Sequence, residues 1–207
     1  CWKHLGLKNT HQISRIRIHP RNPDVAYVAA LGHVWGSNEE RGIYKTIDGG
    51  KTWKQVKTQG SKAGAIDLAM DATNPDVLYA TFWQVYRTAW GLESGGEGSA
   101  IFKSNDGGET WQDLSKADGM PKGPWGKLGV TVSPVNPNRV YALIEAQAGG
   151  LYRSDNGGRS WRLINDDLEL RLRPWYYMRL YADSRDENTV YITNVSFWRS
   201  DDAGVTF

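Results

Sequence analysis

Cysteine is almost absent from this chain: its 207 residues include one, at position 1. A single thiol excludes an intrachain disulfide framework and any zinc site built on cysteines. Histidine is scarce too, and its 4 residues show no metal-ligand spacing. No cofactor motif is present, so no metal or cofactor is expected. No apolar run approaches the roughly 18 residues of a membrane-spanning helix. No signal-peptide pattern opens the sequence either, which leaves secretion open. An excess of one charge is also missing. The 25 Lys and Arg face 23 Asp and Glu, for a net +2 without any long basic block, which argues against nucleic acid as a partner. Against these gaps stand 10 tryptophans, about four times ordinary usage, in a chain that is 40% hydrophobic and therefore globular.

Self-similarity organises the sequence. A turn motif recurs as "TIDGGKTW" from Thr46, "SNDGGETW" from Ser104, "SDNGGRSW" from Ser154 and "SDDAGVTF" from Ser200. A second element recurs as "NPDVAYVAA", "NPDVLYATF", "NPNRVYALI" and "DENTVYITN", marked by Tyr27, Tyr79, Tyr141 and Tyr191. Ahead of each lies an alternating stretch such as "ISRIRIHP" or "KLGVTVSP". One unit therefore reads strand, Asn-Pro-Asp turn, strand, variable loop, strand, Asp-Gly-Gly turn, strand. Four short strands per unit, repeated in tandem, predict an all-β protein built as a β-propeller of four-stranded antiparallel blades. About four blades are visible, as repeats over 11–57, 63–115, 125–165 and 175–207, with 1–6 as the last strand of a preceding blade. Both ends of the sequence fall at nearly the same phase of the repeat. The expectation is an open arc of a larger propeller whose remaining blades are its partners.

The pattern S-x-D-x-G-x-T-W in these turns resembles the Asp-box, or BNR repeat, of sialidase-type propellers. Its phase and flanks are similar to the repeats of sortilin and of xyloglucanase-like BNR-repeat glycoside hydrolases. The resemblance covers the whole chain, is specific for the fold and is weak for function. It implies an extracytoplasmic location. It also implies a candidate catalytic acid, because "GAIDLAMD" places Asp67 in a context similar to that of a catalytic Asp on an inner strand of xyloglucanase-like propellers.

Within each Asp-box a structural role is expected. Asp48, Asp106 and Asp202 can accept hydrogen bonds from amides that a tight turn leaves unpaired. Asn156 replaces Asp in the third copy and can still accept one such bond. In an up-and-down blade these turns share one face with the Asn-Pro-Asp turns. The opposite face receives the loops that vary in length, and loops of that kind carry function on a rigid scaffold. They hold His33, Trp35, Trp83, Tyr86, Arg87, Trp90, Trp125, Arg173, Trp175 and Tyr176, the expected ligand-binding set for a carbohydrate or a peptide or protein. At least two of the five tryptophans are expected to be exposed.

Aligned on the turns, Arg15, Asp67, Gly129 and Arg179 occupy one level of the inner strands. An ion pair between Asp67 and Arg15 is the simpler reading of that level, and catalysis by Asp67 the sharper one. A glycoside hydrolase needs two carboxylates, about 5–5.5 Å apart for retention or about 6.5–9.5 Å for inversion. The sequence marks no second acid, so a ligand-binding scaffold is the leading expectation and a glycoside hydrolase the alternative.

Overall fold

The turns divide the chain as their chemistry requires. The computed structural model describes residues 3–207, with sixteen strands and one short 3-10 helix. In the first sheet β1 (Gln12–Ile18), β2 (Ala26–Gly32), β3 (Gly42–Thr46) and β4 (Lys54–Lys57) pair antiparallel in chain order. The second holds β5 (Ala63–Met70), β6 (Leu78–Arg87), β8 (Ala100–Ser104) and β9 (Gln112–Asp113), with β7 (Leu92–Ser94) paired to the far end of β6. The third repeats the pattern as β10 (Leu128–Val132), β11 (Val140–Ile144), β12 (Gly150–Ser154) and β13 (Arg162–Asn165). The fourth has three strands, β14 (Arg179–Ala182), β15 (Val190–Thr193) and β16 (Phe197–Ser200). These four antiparallel sheets are the blades of a β-propeller.

Blade packing follows from the tyrosine that marks each second strand. Tyr27, Tyr79 and Tyr141 are buried, and burial raises the pKa of each phenol. Their hydroxyls donate across the blade boundary, Tyr27 to the Gly107 carbonyl at 2.9 Å, Tyr79 to that of Gly157 at 3.2 Å and Tyr141 to that of Glu187 at 2.9 Å. The ring fills apolar space while its polar tip is satisfied by the neighbouring blade. Around these rings, Ile43, Ile101 and Leu151 of the third strands are fully buried, each worth about 1.5–3 kcal/mol of apolar burial.

The first and fourth blades differ from the two between them. Phe197, the counterpart of those three residues in the fourth blade, is 67% exposed, and Tyr191 turns its hydroxyl to Asp183 of its own blade. On the first blade Ile16 is 55% exposed, whereas its counterparts Leu68, Val130 and Leu180 are buried. The contacts between the fourth blade and the first are few: Trp175, in the connection into the fourth, packs against the cluster that holds Leu31 and Val34, and Arg15 donates to the Tyr181 hydroxyl at 3.4 Å.

Two local expectations change. The loop expected to hold Trp83, Tyr86, Arg87 and Trp90 contains a hairpin: β6 continues through Arg87, the Thr88 amide donates to the Gly91 carbonyl at 2.9 Å, and β7 returns along it. The alternation of Val85 with Tyr86 suits a strand better than a loop. Residues 3–6 form no strand, and Cys1 and Trp2 lie outside the described residues. Leu5 nevertheless packs beside Gly50 and Trp53, as Leu114 packs beside Gly158 and Trp161 two boundaries further round.

Candidate functional site

On one face the turns are tied to each other. The amides of Gly49, Gly107, Gly157 and Ala203 donate to the carbonyls of Asp24, Asp76, Asn138 and Asn188, which joins each Asp-box to the Asn-Pro-Asp type turn of its own blade. Inside the box, the Asp48 carboxylate accepts from the Thr52 amide at 2.9 Å and the Thr46 hydroxyl at 2.8 Å. Asp106 and Asp202 accept the same bonds from Thr110 and Ser104 and from Thr206 and Ser200. Asn156 keeps the turn, accepting from the Ser160 amide and donating to its hydroxyl. The threonine and serine bonds hold the carboxyls of Asp106 and Asp202 down to about 2 and that of Asp48 lower still. Every acceptor is therefore committed to its own turn, one per blade.

In the channel, the level that the alignment marks is physically one level. Arg15 Nε donates to Asp67 at 2.7 Å, and the same carboxylate accepts from the amides of Leu68 at 2.9 Å and Val130 at 3.3 Å. Arg179 reaches the Ile66 carbonyl, and Gly129 leaves room beside Asp67. The ion pair expected from the sequence is present. Asp67 is buried, with its oxygens engaged by three donors.

Above that level, at the mouth of the channel, lies a cavity of about 430 Å³. Loops of three blades build its wall: Trp35 from the first, Arg87 from the second, and Trp175 and Tyr176 from the connection into the fourth. The Arg87 guanidinium sits 5.6 Å from the Trp35 ring and donates to the Tyr176 hydroxyl at 3.3 Å. Lys127 and Arg179 line the floor beside Trp83. The volume is in the range of small-molecule sites.

The remaining expected residues scatter. Trp83 and Trp125 are 2% and 4% exposed, and of the two only Trp83 lines this cavity. Trp83 wedges against Trp175 at 4.8 Å and caps the first two blades, while Trp125 donates to the Pro121 carbonyl and closes the core of the third. Large rings near a blade end gain more by covering the core than by facing water. Trp35 and Trp90 are exposed, and Trp90, at the tip of the β6–β7 hairpin, stands apart from the cavity. Tyr86 lines a separate cavity next to Arg41. His33 meets His11 with the rings tilted at 41°, and Arg173 lies over the rings of Tyr176 and Tyr177.

Two residues that the sequence reading passed over matter here. Lys127 lies two positions before Gly129, so the period of two in "KLGVTV" already puts it on the same side of its strand. Arg41 is fully buried, and its guanidinium donates to the carbonyls of His33, Gly36, Lys62 and Val85. It thereby fastens the Trp35 loop to the strand that carries Arg87. Its signal was a lone Arg just before "GIYKT", where the other copies have Ser99, Gly149 and Val195.

The Sortilin-Vps10 family model, described as sortilin, neurotensin receptor 3, matches residues 1–120. The chain belongs to the Sortilin-Vps10 family. Curated relatives of this Sortilin-Vps10 chain include a xyloglucanase from a Paenibacillus species, 32% identical over 108 residues, which are 50% of this chain and 10% of that protein. A probable oligoxyloglucan-reducing end-specific xyloglucanase from Neosartorya fischeri is 24% identical over 154 residues, 60% of this chain and 18% of its own length. Among solved structures, a xyloglucanase from Xanthomonas campestris aligns with a TM-score of 0.64 at 18% identity, covering 93% of this chain and 28% of the other. That likeness shows the propeller fold. The chain thus spans less than a fifth of the curated relatives it matches.

Proposed function

We propose that the loop-bearing face of this propeller binds carbohydrate at the channel mouth. The observation that carries this reading is the cavity itself, where Trp35 from one loop and Trp175 and Tyr176 from another converge with Arg87. Aromatic faces take the apolar face of a sugar ring, and guanidinium N–H groups take its oxygens. Both curated relatives are named for action on xyloglucan, which supports a saccharide as the ligand class. An extracytoplasmic setting and further blades of the same kind in the parent protein belong to the same reading.

Binding is favoured over hydrolysis by the state of the acids. Asp67 is tied to Arg15 and to two amides, and the cavity wall holds no Asp or Glu among the described residues. A hydrolase would need a second carboxylate within reach of the first. Calorimetric titration with a panel of neutral xyloglucan and uronate oligosaccharides tests the proposal. Trp35→Ala should weaken the affinity for whichever saccharide binds by about 1–3 kcal/mol, with the fold intact by circular dichroism. Trp90→Ala should leave it unchanged. Equal affinity in wild type and Trp35→Ala would remove the assignment. Turnover of a polysaccharide that Asp67→Asn abolishes, with affinity retained, would establish the hydrolase instead.

A further inference from the structure

The same cavity has an unusual charge balance. Arg87, Lys127 and Arg179 line it, and none of the three forms an ion pair among the described residues. No carboxylate lines it to offset them. Lys127 is the most exacting member, at 2% exposure with Nζ donating to the Trp175 carbonyl at 3.3 Å. An ammonium has three N–H donors, and a buried charge without a counterion is costly.

The acids nearest to Lys127 are already committed. Glu145 accepts from the Lys127 amide at 2.6 Å and from the Ser94 hydroxyl at 2.8 Å. Asp67 belongs to Arg15. Burial, aided by Arg179, lowers the Lys127 pKa to about 8 in spite of the opposing pull of Glu145 and Asp67. At neutral pH the group is therefore still mostly a cation, held in a poorly solvated place.

We propose that this cavity is an anion site and that its saccharide is an acidic one, presenting a uronate carboxylate to Lys127, Arg87 and Arg179. This rests on the carbohydrate reading above. A carboxylate entering the mouth supplies the counterion that Lys127 lacks, and the apolar face of a pyranose ring has Trp35 beside the same arginine. Charge-assisted bonds in a partly dry pocket are the strong ones, which makes the acid rather than the ring the main determinant of selectivity.

Calorimetric titration of the chain with tri-galacturonate and with its neutral amide, the trimer of galacturonamide, separates charge from shape. The acid should bind at least about tenfold tighter than the amide at neutral pH. Lys127→Gln and Arg87→Gln should each remove most of that ratio, and Lys51→Gln, on the opposite face, should leave it unchanged. Raising the pH through about 8 should weaken the acid and not the amide, because Lys127 loses its charge there. That pH series uses the wild-type chain, so it decides the matter even if Lys127→Gln fails to fold. Equal binding of acid and amide would overturn the anion site while leaving the carbohydrate reading standing. No binding by either trimer, with tight binding of a neutral xyloglucan oligosaccharide, would do the same. Absence of all saccharide binding would overturn both, as would capture of an acidic peptide alone.

Discussion

Arg15 Nε donates to the carboxylate of Asp67 across 2.7 Å, joining the innermost strands of the first two blades. The Asp67 side chain is 2% exposed and that of Arg15 14%. Removing one member of such a pair leaves the other charged and poorly solvated, at a cost of about 3–5 kcal/mol when burial is complete. Arg15→Met and Asp67→Leu should each lower the unfolding free energy by about 2–4 kcal/mol. The double variant should lose less than the sum, because no lone charge remains. Urea denaturation of the three variants measures this, and strict additivity would show that the two residues do not act as a unit.

Arg41 offers a different kind of test, since its partners are carbonyls rather than acids. Four backbone carbonyls from three segments share one guanidinium, and burial lowers its pKa without any carboxylate to oppose the shift. Arg41→Met keeps much of the volume and leaves those carbonyls without a donor. It should destabilise the chain by about 2–4 kcal/mol. Saccharide affinity should fall as well, although Arg41 stands outside the channel-mouth cavity, because the Trp35 loop loses its anchor. Hydrogen exchange confined to residues 33–37 would report the loosening directly.

Acid should unfold this propeller through its turns. The carboxyls of Asp106 and Asp202 sit at about 2 in the fold, below the unfolded value near 3.9. As pH falls, the unfolded chain takes up these protons first, so the stabilisation is complete above about pH 5 and disappears on the way to pH 2. Melting temperature measured over that range should drop steeply. Asp106→Ala should melt several degrees lower at neutral pH with a shallower acid slope. Asn156→Asp should melt at the same temperature or slightly higher and steepen the slope, since the Ser154 hydroxyl and the Ser160 amide already donate to the position.

Backbone strain distinguishes the fourth turn from the others. Ala203 has φ of 61°, in the left-handed region where Gly49, Gly107 and Gly157 stand at 70°, 67° and 70°. An L-residue there costs about 1–2 kcal/mol, partly offset by the freedom that glycine brings to the unfolded chain. Ala203→Gly should therefore stabilise by roughly 0.5–1 kcal/mol, and Gly157→Ala should destabilise by about 1 kcal/mol. Thermal denaturation of both variants checks the sign.

The sequence by itself determined the blades. Period-two alternation, the Asn-Pro-Asp turns and the Asp-boxes are local signals, set by how few backbone conformations a tight turn allows. That is why strand order, the shared turn face and the hydrogen bonds of Asp48, Asp106, Asn156 and Asp202 could be read in advance. The ion pair of Arg15 with Asp67 was also legible, because one alignment level carried a single acid among basic neighbours.

Only the tertiary structure decided which side chains reach the ligand surface. Trp83 and Trp35 look alike in sequence, yet one caps a blade and the other faces water, since burial depends on what a neighbouring loop brings over it. Lys127, Arg87 and Arg179 come from three blades, and their convergence is a property of the ring rather than of any segment. Charge in a cavity is a sum over elements distant in the chain, and the packing of blades, which no local pattern encodes, fixes the distances in that sum.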